Sequence, residues 1–173
     1  ISTENISIIP NRDTLTKIRF FGSRESLLDR GQILLQADRG TNEPIDEETS
    51  SKLASSAVSD LKDSCALVIS DYDKGVVTSE GSMNLISEAN QLGIPVIVDP
   101  KLTGLEKSRG ASVVIFEKRG MSLLARRIGM EIEDAAQSML IDYSWDGILV
   151  LGGIHGIQLY QRDTDSILIP CMA

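Results

Sequence analysis

The chain has 173 residues, 42% hydrophobic and 24% charged, with a formal net charge of −8. That is enough length for one domain with its own core, in a composition ordinary for a globular protein. The acidic balance argues against a broad nucleic-acid surface, which needs clustered Lys and Arg, and no apolar run reaches the ~18 residues of a membrane span.

Ile1 to Asn5 lack the basic start and apolar stretch of a signal peptide, so a cytoplasmic protein is expected. The first forty residues read as extended. Ile6, Ile8 and Ile9 form a short apolar piece ending at Pro10. Leu15, Ile18, Phe20 and Phe21 alternate with Thr16, Lys17 and Arg19, and Ile33 to Asp38 form a third piece. The charged stretch Gly22 to Gly31 between them reads as a turn or loop. A small antiparallel sheet is expected here. Lys17 and Arg19 lie two apart on an extended segment and share a face. With Phe21 assigned to that face, they suit either a lid over a ligand or a solvated strand face.

The pattern then becomes helical. Leu53, Ala54, Ala57, Val58 and Leu61 form one stripe within Asp46 to Lys62, with acidic residues crowding the start, where the helix dipole favours them. Cys65 to Ile69 is an unbroken apolar run, as expected of a strand buried on both faces of a parallel sheet. The unit repeats: a helix over Ser79 to Leu92 stopped by Gly93, a strand at Pro95 to Val98, and another at Ala111 to Phe116. Helices follow at Lys118 to Ile128 and Glu131 to Tyr143, then a strand at Ile148 to Leu151. Ile157 to Tyr160 and Ile167 to Ile169 flank Arg162-Asp163-Thr164-Asp165 and predict a hairpin. Alternating helices and buried strands imply an α/β fold with a mainly parallel, doubly covered sheet. Ligands of such sheets sit beyond the carboxyl ends of the strands.

The residues after each strand are therefore the candidates. Ser70-Asp71-Tyr72-Asp73-Lys74-Gly75 offers carboxylates, a hydroxyl, an ammonium and a glycine for close backbone approach. It suits a polar sugar carrying a phosphate, or equally a polar turn before a helix. In Asp99-Pro100-Lys101, Pro100 holds Asp99 extended at the rim, and Lys101 could pair with it or with a phosphate. Gly152-Gly153-Ile154-His155-Gly156 is a glycine turn that suits either phosphate contact or a hairpin. It is not the Walker pattern, and no G-x-G-x-x-G follows a strand, which argues against a dinucleotide-dependent oxidoreductase. His155 is the only histidine and reads as a turn residue. Cys65 and Cys171 read as reduced thiols. No catalytic residue and no metal ligand is assigned.

In order, Thr14 to Arg19, Gln32 to Asp38, Ser70 to Gly75, Gly93 to Lys101 and Arg109-Gly110-Ala111 resemble the kinase half of the bifunctional heptose kinase/adenylyltransferases. These are ribokinase-like (PfkB) carbohydrate kinases. The resemblance implies a three-layer α/β/α core with a small antiparallel β lid, the lid at 1–40 and the core at 41–173 of one partial domain. It implies ATP- and Mg2+-dependent phosphorylation of the anomeric hydroxyl of heptose 7-phosphate, on the route to ADP-heptose and the lipopolysaccharide core. It also implies pairing into a homodimer through the lid, or seating against another chain, with neither nucleic acid nor membrane as partner. By this analogy Lys17, Arg19, Asp71, Lys74, Gly75, Asp99 and Lys101 belong to the sugar-phosphate side, and Gly152 and Gly156 to the nucleotide side.

The departures also matter. Ile115, Phe116, Glu117 and Gly120 stand where the family has Thr-Pro-Asn and a glutamate. Leu151-Gly152-Gly153-Ile154 stands for Thr-Arg-Ser-Glu. The family's Gly-Ala-Gly-Asp segment and its amino-terminal glycine-rich sugar-binding segment have no match. The expectation is a kinase fold incomplete at both ends and not catalytically complete by itself. It is read either as part of a larger kinase or as a degenerate, non-catalytic module.

Overall fold

The computed structural model describes residues 6–22 and 32–171. The described residues divide into two compact units, 6–43 and 44–171. Of the predicted loop, Gly22 to Gly31, Gly22 ends a strand and the rest lies outside the described residues.

The first unit is a two-stranded antiparallel ribbon, β1 (Thr16–Gly22) paired with β2 (Gln32–Arg39). The piece at Ile6 to Ile9 forms no strand, and Ile6 and Ile8 are exposed. Lys17 pairs with Asp38 and Arg19 with Gln36, and the Arg19 Nε donates to Gln36 Oε1 at 3.2 Å. The register shifts between Phe20 and Phe21. The extra residue is Leu34 of β2, so the bulge belongs to β2 and β1 keeps its alternation. Phe20, opposite Leu35, shares one side of the ribbon with Ile18 and Ala37. Lys17 and Arg19 occupy the other side, on the same β1 parity as Phe21.

The second unit is a six-stranded mixed sheet with helices. Its elements are α1 (Glu47–Leu61), β3 (Leu67–Ser70), α2 (Ser79–Gln91), β4 (Val96–Asp99) and β5 (Val113–Glu117). These are followed by α3 (Lys118–Ile128), α4 (Ile132–Asp142), β6 (Gly147–Leu151), β7 (Ile157–Gln161) and β8 (Ile167–Ile169). Spatial order equals chain order, β3 to β8. β3 to β6 run parallel, and the predicted hairpin β7–β8 adds two antiparallel strands. The helices are capped as their sequences suggest. Asp46 accepts from the Thr49 amide at 2.8 Å and Thr78 from the Gly81 amide at 3.1 Å. Gly129 ends α3 with φ 71°.

The β4-to-β5 crossover contains a 3-10 turn, Leu105–Ser108, where no element was expected. Arg109 ties that turn down. It pairs with Glu106, donates to the Asp142 carbonyl at 2.6 Å and lies over the Tyr143 ring. Trp145, fully buried, stacks on Tyr143 and donates to the Ser108 carbonyl at 2.8 Å.

A chain that steps in one direction through right-handed crossovers places every crossover helix on the same face. The core follows that rule. Ile69, Val96, Val98, Val114, Phe116, Ile148, Val150 and Tyr160 all project into one cluster with Ile86, Met121, Leu124, Ala135, Met139, Leu140 and Trp145. The residues of opposite parity are only partly covered: Val68 is 65% exposed, and Ile97, Ile115 and Leu149 are half-buried. The apolar runs are those of strands with two buried faces, and the described residues provide the sheet with one helical layer.

Candidate functional site

β3 and β4 are in register at their carboxyl ends, Ser70 opposite Asp99, so the turns after them meet. The Asp71 amide donates to the Asp99 carbonyl at 3.1 Å. The Asp71 side chain folds inward and is 4% exposed. Its Oδ1 accepts from the Asp73 amide at 2.8 Å and its Oδ2 from the Lys107 ammonium at 2.7 Å. A buried carboxylate is stable only when paired and hydrogen-bonded, and this one is both. Gly104 makes the space: a Cβ there would sit 3.3 Å from Lys107 Cε and 3.6 Å from Asp71 Oδ2. Ser82 donates to the Lys107 carbonyl, which fixes the turn against α2.

The next residues stay near the rim. Asp73 takes the left-handed conformation, φ 54°, which Asp tolerates better than most residues. Its Oδ2 accepts from the Thr103 hydroxyl at 3.1 Å, joining the turns again. Lys101 places its ammonium 5.2 Å from the centre of the exposed Tyr72 ring. Lys74 is half-buried and Asp99 exposed. Gly75 has φ 75°, and its carbonyl accepts from the Ile45 amide at 2.8 Å, so its backbone freedom secures the entry to α1.

Asp71, Lys74, Gly75, Asp99 and Lys101 therefore gather at one mouth of the sheet. Gly152 and Gly156 lie after β6, three strand spacings from β3, or roughly 14 Å at ~4.8 Å per strand. They border a cavity of about 440 Å3 that Lys118, Glu133, His155, Gln158 and Tyr160 also line. Burial raises the Tyr160 phenol above its usual range, with the Glu133 charge adding to it. The turn itself uses much of the glycine chemistry. The Gly152 amide donates to the Gly156 carbonyl at 2.8 Å and the Gly156 amide to the Gly153 carbonyl at 3.0 Å. Gly156 has φ 88°, and a side chain there would collide with the Ile169 carbonyl. Lys17 and Arg19 belong to the ribbon unit.

Lys107 and Thr103 were missed by sequence reasoning. Both lie in the β4-to-β5 crossover, which carries no helical or strand period. The usable signal was topological: this crossover starts at a strand's carboxyl end, and Arg109-Gly110-Ala111 lies just beyond Lys107. Among the described residues no three His, Cys, Asp or Glu side chains gather as a metal site. No described helix is long and apolar enough to cross a membrane.

A mostly parallel sheet in this strand order, with a polar cluster at its carboxyl edge and a separate two-stranded ribbon, defines a ribokinase-like fold. The Arabidopsis thaliana ribokinase complexed with ribose and ATP superposes with a TM-score of 0.61 at 13% identity, over 92% of this chain and 49% of that one. In sequence, the bifunctional protein HldE of Koribacter versatilis is 35% identical over 158 residues, 89% of this chain and 31% of that protein. HldE of Salmonella dublin is 31% identical over 173 residues, 95% of this chain and 33% of that protein. The chain shares the ribokinase-like fold and is similar in sequence to the HldE proteins along most of its length. It spans about a third of the length of these curated relatives. No family model matches it.

Proposed function

We propose that this chain carries the sugar-phosphate side of a heptose 7-phosphate kinase of the ribokinase type, and that these residues alone do not complete the phosphoryl transfer. The observation that carries the reading is the Asp71–Lys107 pair. It locks the turn after β3 onto the turn after β4 and so presents Lys74, Asp99 and Lys101 at one rim. In this reading Lys74 and Lys101 attract the phosphate and Asp99 accepts from a sugar hydroxyl, and Lys17 and Arg19 of the ribbon unit are further candidates for the sugar phosphate. Gly152 and Gly156 would border the ATP end of the same sheet edge. The heptose assignment rests on the ordered motif resemblance and on the similarity to HldE.

Phosphoryl transfer depends on positioning and on charge stabilisation at the transferring group. The positions that would organise magnesium and ATP are Ile115, buried Phe116 and Glu117, the last three residues of β5, and Gly120 in α3. The proposal therefore assigns no step to a metal. That replacement also favours a second reading, a non-catalytic kinase-fold module that serves as an interaction partner. Either role is placed in the cytoplasm, and either includes association. The ribbon leaves Ile18, Phe20, Phe21, Ile33 and Leu35 exposed, and an isolated two-stranded ribbon is marginal in water. We expect it to pair with a second copy or with another chain, visible as a dimer or complex by sedimentation.

The deciding experiment combines two measurements on the purified chain. Coupled ADP release is followed with heptose 7-phosphate, ATP and magnesium, and calorimetry follows sugar-phosphate binding. Binding without turnover, lost on Lys74→Ala, is expected. Robust turnover refutes the incomplete-catalyst reading, and no binding leaves the interaction module.

A further inference from the structure

Helix α3 is at odds with the charge of the rest of the chain. It carries Lys118, Arg119, Arg126 and Arg127, and no carboxylate occurs from Lys118 to Met130, in a chain with 17 cations against 25 acidic residues. All four cations are exposed, and among the described residues none is in an ion pair.

Helix stability accounts for only half of them. Arg126 and Arg127 lie in the last turn, where the dipole welcomes positive charge. Lys118 and Arg119 lie in the first turn, where the dipole opposes it, and no acidic residue occupies that turn. Two cations kept against the local field, without a partner inside the described fold, imply a use outside it.

Their arrangement indicates what that use is. The inner face of α3, Met121, Leu124 and Ala125, is buried in the core. Arg119, Leu123, Arg126 and Arg127 recur at i, i+4, i+7 and i+8 and therefore form one outward stripe. Leu123 is 46% exposed within that stripe, and Met130, just past the Gly129 stop, is 45% exposed. An apolar contact point framed by guanidinium groups suits a complementary surface, with carboxylates for the arginines and an aliphatic side chain for the leucine.

We propose that the outer face of α3 is a docking surface for an acidic protein segment that carries apolar side chains at helical spacing. Nucleic acid is disfavoured because the chain's net charge of −8 repels a polyanion beyond the immediate patch. A lipid surface is disfavoured because the helix has committed its apolar face to the core, leaving too little exposed apolar area to insert. The proposal is independent of the sugar-phosphate site.

The test titrates a fluorescein-labelled acidic amphipathic helical peptide, built from Glu and Leu, into the chain. Anionic phosphatidylserine vesicles and a short DNA duplex are run in parallel. Binding is expected for the peptide alone, weakening as salt rises from ~0.01 to ~0.15 M and the Debye length shrinks from ~30 to ~8 Å. Arg119→Glu with Arg126→Glu should weaken it at least ~10-fold while the circular dichroism melt stays unchanged. The milder Arg119→Gln with Arg126→Gln pair serves if charge reversal impairs folding. Leu123→Ser should weaken binding without altering its salt dependence. Equal binding by the arginine variants, or preference for vesicles or duplex over peptide, overturns the proposal.

Discussion

Replacing Lys107 with methionine keeps most of the aliphatic stem and removes only the charge. The ammonium is 2.7 Å from Asp71, and the two side chains are 17% and 3% exposed. The variant leaves a buried carboxylate whose one remaining described contact is the Asp73 amide. Breaking a buried pair from one side costs about 3–5 kcal/mol, because the surviving charge has lost both water and partner. The Asp73 amide places this case at the lower end, about 3 kcal/mol. For a domain of this size each kcal/mol moves Tm by about 2–4 °C, so thermal unfolding should fall by ~6–12 °C. A second substitution, Asp71→Asn, removes the stranded charge. The double variant should then recover part of the loss, a coupling of ~1–3 kcal/mol in a double-mutant cycle. A single variant melting within ~2 °C of wild type would refute the reasoning. So would a double variant no more stable than Lys107→Met.

Gly156→Ala should destabilise the second unit by about 1–3 kcal/mol, from its φ of 88° and the clash with the Ile169 carbonyl; loss of nucleotide affinity with an unchanged melt would instead assign that glycine to the ligand. The Asp46 carboxyl is held below its usual range, first by the Thr49 amide and then by the Thr49 hydroxyl. A depressed carboxylate adds stability above its unfolded value and loses it as pH falls through the folded one, so α1 should weaken below about pH 4. Asp46→Asn, which keeps an N-cap acceptor, should flatten that acid dependence in a far-ultraviolet circular dichroism titration.

Local pattern was sufficient for the order of the elements in the second unit. The apolar runs marked β3 to β6, the 3.6-residue stripe marked α1, and Gly129 marked the stop of α3. Periodicity and capping act within a few residues, so neighbours in sequence are enough to reveal them. The same logic placed Asp71, Lys74, Asp99 and Lys101 after parallel strands, hence at one edge of the sheet. It failed where the answer depended on distant chain. Nothing near Ile6 says that it lacks a strand partner, and nothing near Leu34 says that it is the extra residue of a bulge.

The pairing of Asp71 with Lys107 is the clearest case, because the two are 36 residues apart. Sequence alone determined that a carboxylate would follow β3 and that a crossover would follow β4. Only the tertiary structure decided that the crossover would be a 3-10 turn carrying a lysine back under that carboxylate. Parallel strand register brings both turns to one edge, and the low polarity of the interior makes a paired charge there stable and an unpaired one costly.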